Sequence, residues 1–136
     1  MKLVSTLKRR LARDLNQLGY HLNRIGRFAE ALPLLEESIA LKELGYMQFG
    51  SLAATCGEKA EALAGLGRFQ EALLFDEKAL VEVQRCANMG HTSSQEEVWI
   101  YHVNRGRLYL RLGRIAEAEQ LLQEALPHIH AKRRNQ

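Results

Sequence analysis

A chain of 136 residues with 46% apolar and 26% charged residues has ordinary globular composition and the length of one domain, which excludes the disordered and fibrous classes. No window approaches the roughly 18 consecutive apolar residues of a membrane span, and the opening MKLVSTLKRRLARD has charges where a signal peptide needs its apolar stretch, so a cytoplasmic protein with no membrane role is expected. Net charge is only +3 but unevenly placed: Lys2, Lys8, Arg9, Arg10 and Arg13 precede the first acid, Lys132, Arg133 and Arg134 lie near the end, and acids outnumber bases between them.

The first predicted unit spans about 6–46. Leu15, Leu18, Gly19, Leu22 and Ile25 recur at helical steps, and after Gly26 so do Phe28, Ala31, Leu32, Leu35 and Ile39, which describes two antiparallel helices. Pro33 falls in the early turns of the second and predicts a local distortion at most. The glycine-punctuated stretch from Leu44 to Leu52 is a connection. The second unit, about 50–89, and the third, about 93–133, repeat the pattern, with Ile25-Gly-Arg-Phe-Ala-Glu-Ala-Leu echoed from Leu66 and from Leu112. Gly26, Gly67 and Gly113 are 41 and 46 residues apart, and each suits the left-handed end of a helix rather than a phosphate loop. Between the last two units Gly90 marks a helix end, and Ser93 with Glu96 reads as a capping box. Cys56 and Cys86 are expected to behave as small buried apolar groups.

Small residues midway in each first helix (Gly19, Ala60, Gly106), larger ones three further on (Leu22, Leu63, Tyr109), the Gly-Arg turn and an alanine early in each second helix (Ala31, Ala72, Ala118) resemble tetratricopeptide repeats. The resemblance spans nearly the whole chain. The repeat length exceeds the usual 34 residues and is more similar to the elongated kinesin light chain-like and bacterial arrays. Lys59 and Arg105 stand where the first unit has Leu18, a departure that predicts shallower packing of the later first helices. The resemblance implies an all-α fold, three antiparallel helical hairpins stacked as a right-handed superhelix, with the first helix of each hairpin forming a concave wall. A polar capping helix is usual at the end of such arrays. The apolar positions Leu121, Leu122, Ala125, Leu126 and Ile129 near the end of this sequence therefore predict a longer parent protein or cover by a second copy, with an uncapped monomer as the remaining alternative.

On that wall the candidate peptide-binding residues are Asn16, Tyr20, Asn23 and Arg24 in the first unit, Glu61 in the second, and Asn104, Arg107 and Arg111 in the third. Asparagine amides can bond a ligand backbone, arginines can clamp carboxylates, and Gly57, Ala64 and Gly65 leave room for a bulky ligand side chain. Gly57 and Glu58 stand where chaperone-binding members of the family carry polar clamp partners, so a chaperone tail is not the expected ligand. No set of histidines, cysteines or acids converges on a catalytic or metal site: His128 and His130, two apart, face opposite sides of a helix. The basic ends lack an aromatic ladder, so nucleic acid is not an expected partner. The expectation is a non-enzymatic scaffold without cofactor or metal, binding a peptide or protein, with an acidic preference. Two rivals are a self-associating module, hairpin-swapped or joined through the C-terminal hairpin, and the sensor arm of a larger bacterial signalling regulator.

Overall fold

The computed structural model describes residues 2–47 and 51–134, with side chains up to residue 129. His130, the basic run 132–134 as side chains, and the middle of the first connection lie outside the described residues. Six helices follow in order: α1 (Lys2–Arg24), α2 (Phe28–Glu43), α3 (Ser51–Gly65), α4 (Phe69–Asn88), α5 (Thr92–Arg111) and α6 (Ile115–Arg134). Successive pairs form three antiparallel hairpins; α2 packs on α3 and α4 on α5, which stacks the hairpins into a solenoid.

The repeated phrase is a turn with a built-in restart. Gly26, at φ 79°, lets its own N–H bond to the Asn23 carbonyl at 3.1 Å and the Arg27 N–H to the Leu22 carbonyl at 2.8 Å. These two bonds satisfy carbonyls that the helix end leaves without partners. Gly67 and Gly113 repeat the same pair of bonds. The next residue, Arg27, Arg68 or Arg114, precedes the new helix and gives no side-chain cap at the first two turns; its guanidinium instead pairs with the acid three residues on, Glu30, Glu71 or Glu117. Those glutamates also sit in the first turn, where the helix dipole favours negative charge.

The core is rich in alanine. One cluster runs through the glycine-turn ends of the stack, joining Ala31, Leu32 and Leu35 of α2 to Ala62, Leu63 and Ala64 of α3, Ala72 of α4 and Leu108 of α5. Packing of this kind depends on how closely helix backbones approach. A Cβ placed on Gly19 would come within 2.5 Å of Leu35, which is fully buried, and one on Gly106 within 3.2 Å of Leu122. Cys56 and Cys86 are buried thiols, and burial pushes the Cys56 pKa up to about 11.

Three sequence expectations change. Leu18 is 51% exposed and Ile25 66% exposed, so neither is a packing position, and Lys59 and Arg105 are no departure from the first unit. Lys59 lies with its Nζ 3.7 Å from the Phe75 ring centre, its stem covering apolar surface. The capping box is absent: His91 is the N-cap of α5, its Nδ1 accepting from the Ser94 N–H at 3.3 Å, and Ser93 lies within the helix. Within the expectation of a local distortion at most, helix α2 runs unbroken through Pro33, as α6 does through Pro127, and both rings are exposed.

Replacing Gly19 with Ala is expected to lower the free energy of unfolding by about 1–3 kcal/mol, because Leu35 must leave its rotamer. Gly57→Ala, whose Cβ would sit 3.6 Å from Tyr101, is expected to be neutral or stabilising by up to about 1 kcal/mol through helix propensity. Urea titrations of the two variants check the contrast.

Candidate functional site

The inner helices α1, α3 and α5 line a groove of about 890 Å³, open along one side, with Asp76 of α4 at its base. Asn16, Tyr20, Arg24, Glu61, Asn104, Arg107 and Arg111 all border it. Asn23 does not. It is buried, and its amide donates to the Glu58 carbonyl at 3.0 Å and to Glu58 Oε1 at 3.1 Å, so it ties α1 to α3 instead of facing a ligand. Burial raises the Glu58 pKa, opposed by the Asn23 bond and the nearby Arg24 charge.

The arginines are less available than their sequence suggests. Arg24 pairs with Glu58 at 3.1 Å and lies 4.8 Å from the Tyr20 ring centre. Arg111 donates to the Ala64 carbonyl at 3.1 Å, fastening α5 to the end of α3, and Arg107 donates to Asn104 Oδ1 at 3.3 Å. Against them the groove presents four carboxylates, on Glu58, Glu61, Asp76 and Glu97. Among the described residues Glu61 and Glu97 have no ion-pair partner. The room expected beside Gly65 is taken: the Phe28 ring occupies the place its Cβ would have. Ala64 is buried; Gly57 keeps space, facing Tyr101 across the groove.

A second cavity of about 470 Å³ adjoins the first through Asn16, Gln17 and Ala54, and is lined by Arg9, Arg10, Arg13 and Lys42. Lys42 is 4% exposed and donates to Thr55 Oγ1 at 2.6 Å and to the Ser51 carbonyl at 3.1 Å; Thr55 in turn donates to Asn16 Oδ1 at 2.8 Å. This chain leaves Asn16 holding its position through its oxygen. Burial lowers the Lys42 pKa to about 8.

Asp76 was not among the sequence candidates. It is 6% exposed, and burial raises its pKa to about 6, opposed by Arg105. The Arg105 Nε lies 3.9 Å from its Oδ2, too far for a hydrogen bond, and donates instead to the Tyr109 hydroxyl at 3.0 Å. Asp76 Oδ2 is therefore buried without a hydrogen-bond partner among the described residues. The signal was in the repeat: counting from each turn glycine, Asp76 occupies the place of Leu35 and Leu122.

Trp99 stacks on His128 with ring centres 3.8 Å apart and lies 5.1 Å from His102, which accounts for two histidines as packing groups. No cluster of potential metal ligands occurs among the described residues, and no described helix is long and apolar enough to cross a membrane.

Three stacked hairpins around an inner groove define an α-solenoid. Tetratricopeptide repeat models match residues 12–44, within the first hairpin, and 99–124, within the third. The first and third hairpins therefore carry tetratricopeptide repeats, which serve in general as protein-interaction scaffolds and are typically non-enzymatic. The elongated kinesin light chain-like subtype rests on repeat length alone. The fold is similar to the crystal structure of the TPR domain of Arabidopsis FLU, with a TM-score of 0.75 and 14% identity over 91% of this chain and 98% of that one. No curated protein matches the chain.

Because the Asp76 pKa is raised on folding, its contribution favours the folded state below the unfolded value near 4 and is lost as pH rises through about 6. Relative to Asp76→Asn, the wild-type chain is expected to lose roughly 3 kcal/mol of stability between pH 3.5 and pH 7.5. Urea titrations of both proteins across that range check it.

Proposed function

We propose that the concave groove binds a segment of a partner protein, in an extended or helical conformation, and that the chain acts as a non-catalytic scaffold. The observation that carries this reading is the composition of the groove: aromatic and apolar surface from Tyr20, Tyr101, Ile100 and Leu110 alternates with polar groups that retain bonding capacity, among them Glu61 and the side-chain amides of Asn16 and Gln17. Such a mixture gives a ligand both contact area and register. Acidic groups of the ligand belong at the α1 end, where Arg9 and Arg10 line the second cavity beside Arg13, which pairs with Asp14 at 3.6 Å; Arg24, Arg107 and Arg111 already have partners. Ala54, exposed and shared by both cavities, is the place to block the groove. Panning a random peptide library is expected to recover ligands for the wild-type chain and for Gln70→Trp on the outer helix α4, but not for Ala54→Trp. Equal recovery by Ala54→Trp would remove the groove from consideration.

A second reading is favoured by α1. Val4, Leu7, Leu11 and Leu18 form an exposed apolar stripe on this helix, flanked by Lys8, Arg9 and Arg10. Leu11 corresponds in the repeat to Leu52, which packs against the Ile39, Cys56 and Ala79 cluster. Ile39 corresponds to Leu126 of α6, which is 46% exposed beside the acids Glu119 and Glu124. A second copy offers this α6 face to α1 in the way α2 meets α3, a head-to-tail contact with opposite charges at its edges. Sedimentation is expected to show mass rising with concentration for the wild-type chain and a constant monomer mass for Leu11→Glu.

A further inference from the structure

The central unit of the groove departs from its neighbours at one buried position. In the outer hairpins the residue nine beyond the turn glycine is leucine: Leu35 fills the space against Gly19, and Leu122 packs at Gly106. In the middle hairpin it is Asp76, between the fully covered Ala72 and Ala79 on α4. A carboxylate at a leucine position costs stability unless its oxygens are bonded. Oδ2 is not, and the nearest cation is otherwise engaged: Arg105 donates to Tyr109 and pairs with Glu77, which balances its charge. Asp76 also borders the groove, in the company of Gly57, Ala60, Tyr101 and Asn104, with the unpaired Glu61 and Glu97 on α3 and α5. A buried polar group left without a partner at the base of an open groove is a group waiting for a ligand to complete it.

We infer, resting on the groove reading above, that Asp76 is the anchor for a basic side chain, a lysine or arginine of the bound segment, that enters the groove through the gap left by Gly57 and donates to Oδ2. Gly57 supplies the opening: a Cβ there would meet the Tyr101 ring at 3.6 Å, an ordinary van der Waals contact, and narrow it. Glu61 and Glu97 supply negative potential at the mouth, drawing in a cation and rejecting an acid at this register. The ligand thus carries its basic residue at the centre of the groove and any acidic residues toward Arg9, Arg10 and Arg13.

The test uses Asp76→Leu, which restores the residue of the other two hairpins. If Asp76 serves a ligand, this variant melts higher than the wild-type chain while binding basic peptides more weakly. Peptide libraries with one position fixed as Lys, Arg, norleucine, Gln or Glu are panned on both proteins. The expected result is enrichment of Lys or Arg at one register by the wild-type chain, and a loss of roughly thirtyfold or more in affinity for those peptides in Asp76→Leu, with the norleucine peptides unaffected. A lower melting temperature for Asp76→Leu would make Asp76 a structural partner of Arg105 and overturn the inference. So would peptides recovered without basic enrichment, or enrichment retained by the variant; both leave the groove reading intact. Failure of the wild-type chain to retain any peptide would sink the groove reading and the anchor together.

Discussion

The distance at which helix backbones approach one another governs this molecule. Alanine contributes little apolar area by itself, so a core built on Ala12, Ala31, Ala62, Ala72, Ala79, Ala118 and Ala125 gains cohesion only where close approach lets the few large side chains fill what remains. Gly19 makes room for Leu35, and Gly65 for Phe28. The second contact joins different hairpins, so the absence of a Cβ on α3 sets how the first hairpin stacks on the second. The curvature of the inner wall, and hence the groove, follows from these contacts.

Much of the fold was legible in the sequence because it is written three times. The glycine turns, the small residues inside the hairpins and the division into helices are all local or repeat-periodic features, and the described helices meet those expectations. The errors came where burial depends on which neighbour is present. Leu18 and Ile25 satisfy helical periodicity with the true core residues, yet they project toward the outer side of α1, where no described helix covers them. The capping assignment failed for a related reason: Ser93 and Glu96 have the right spacing, but His91 lies next to the left-handed Gly90 and its ring nitrogen reaches the Ser94 N–H first.

The groove was legible as a location and less so as an electrostatic surface. Helical phase and repeat spacing, applied to the inner wall that the family resemblance implied, picked eight candidates of which seven border the groove; Asn23 escaped because its partner, Glu58, comes from the next repeat, and no periodicity within α1 announces a bond made across hairpins. The same cross-repeat pairing explains the arginines. Arg24 meets Glu58 and Arg111 meets the Ala64 carbonyl, so cations that read as ligand clamps in one dimension act in three as fasteners between neighbouring inner helices. What remains uncommitted is largely carboxylate, opposite in sign to the arginine clamps that the sequence suggested in the first and third units.

Two buried charged groups, at different positions of the repeat, serve different purposes. Lys42 and Asp76 both stand where other repeats place an apolar residue, Lys42 corresponding to Val83 and Ile129, and Asp76 to Leu35 and Leu122. Lys42 is bonded to Thr55 and Ser51 on the adjacent helix, so its burial is repaid within the chain and it acts as a strut between α2 and α3. Asp76 has no comparable bond, although it is buried to a similar degree. A structural polar residue in a repeat protein should find its partner in the neighbouring repeat, as Lys42 does. One that does not, and that borders the open inner face, owes its retention to something the chain itself does not supply.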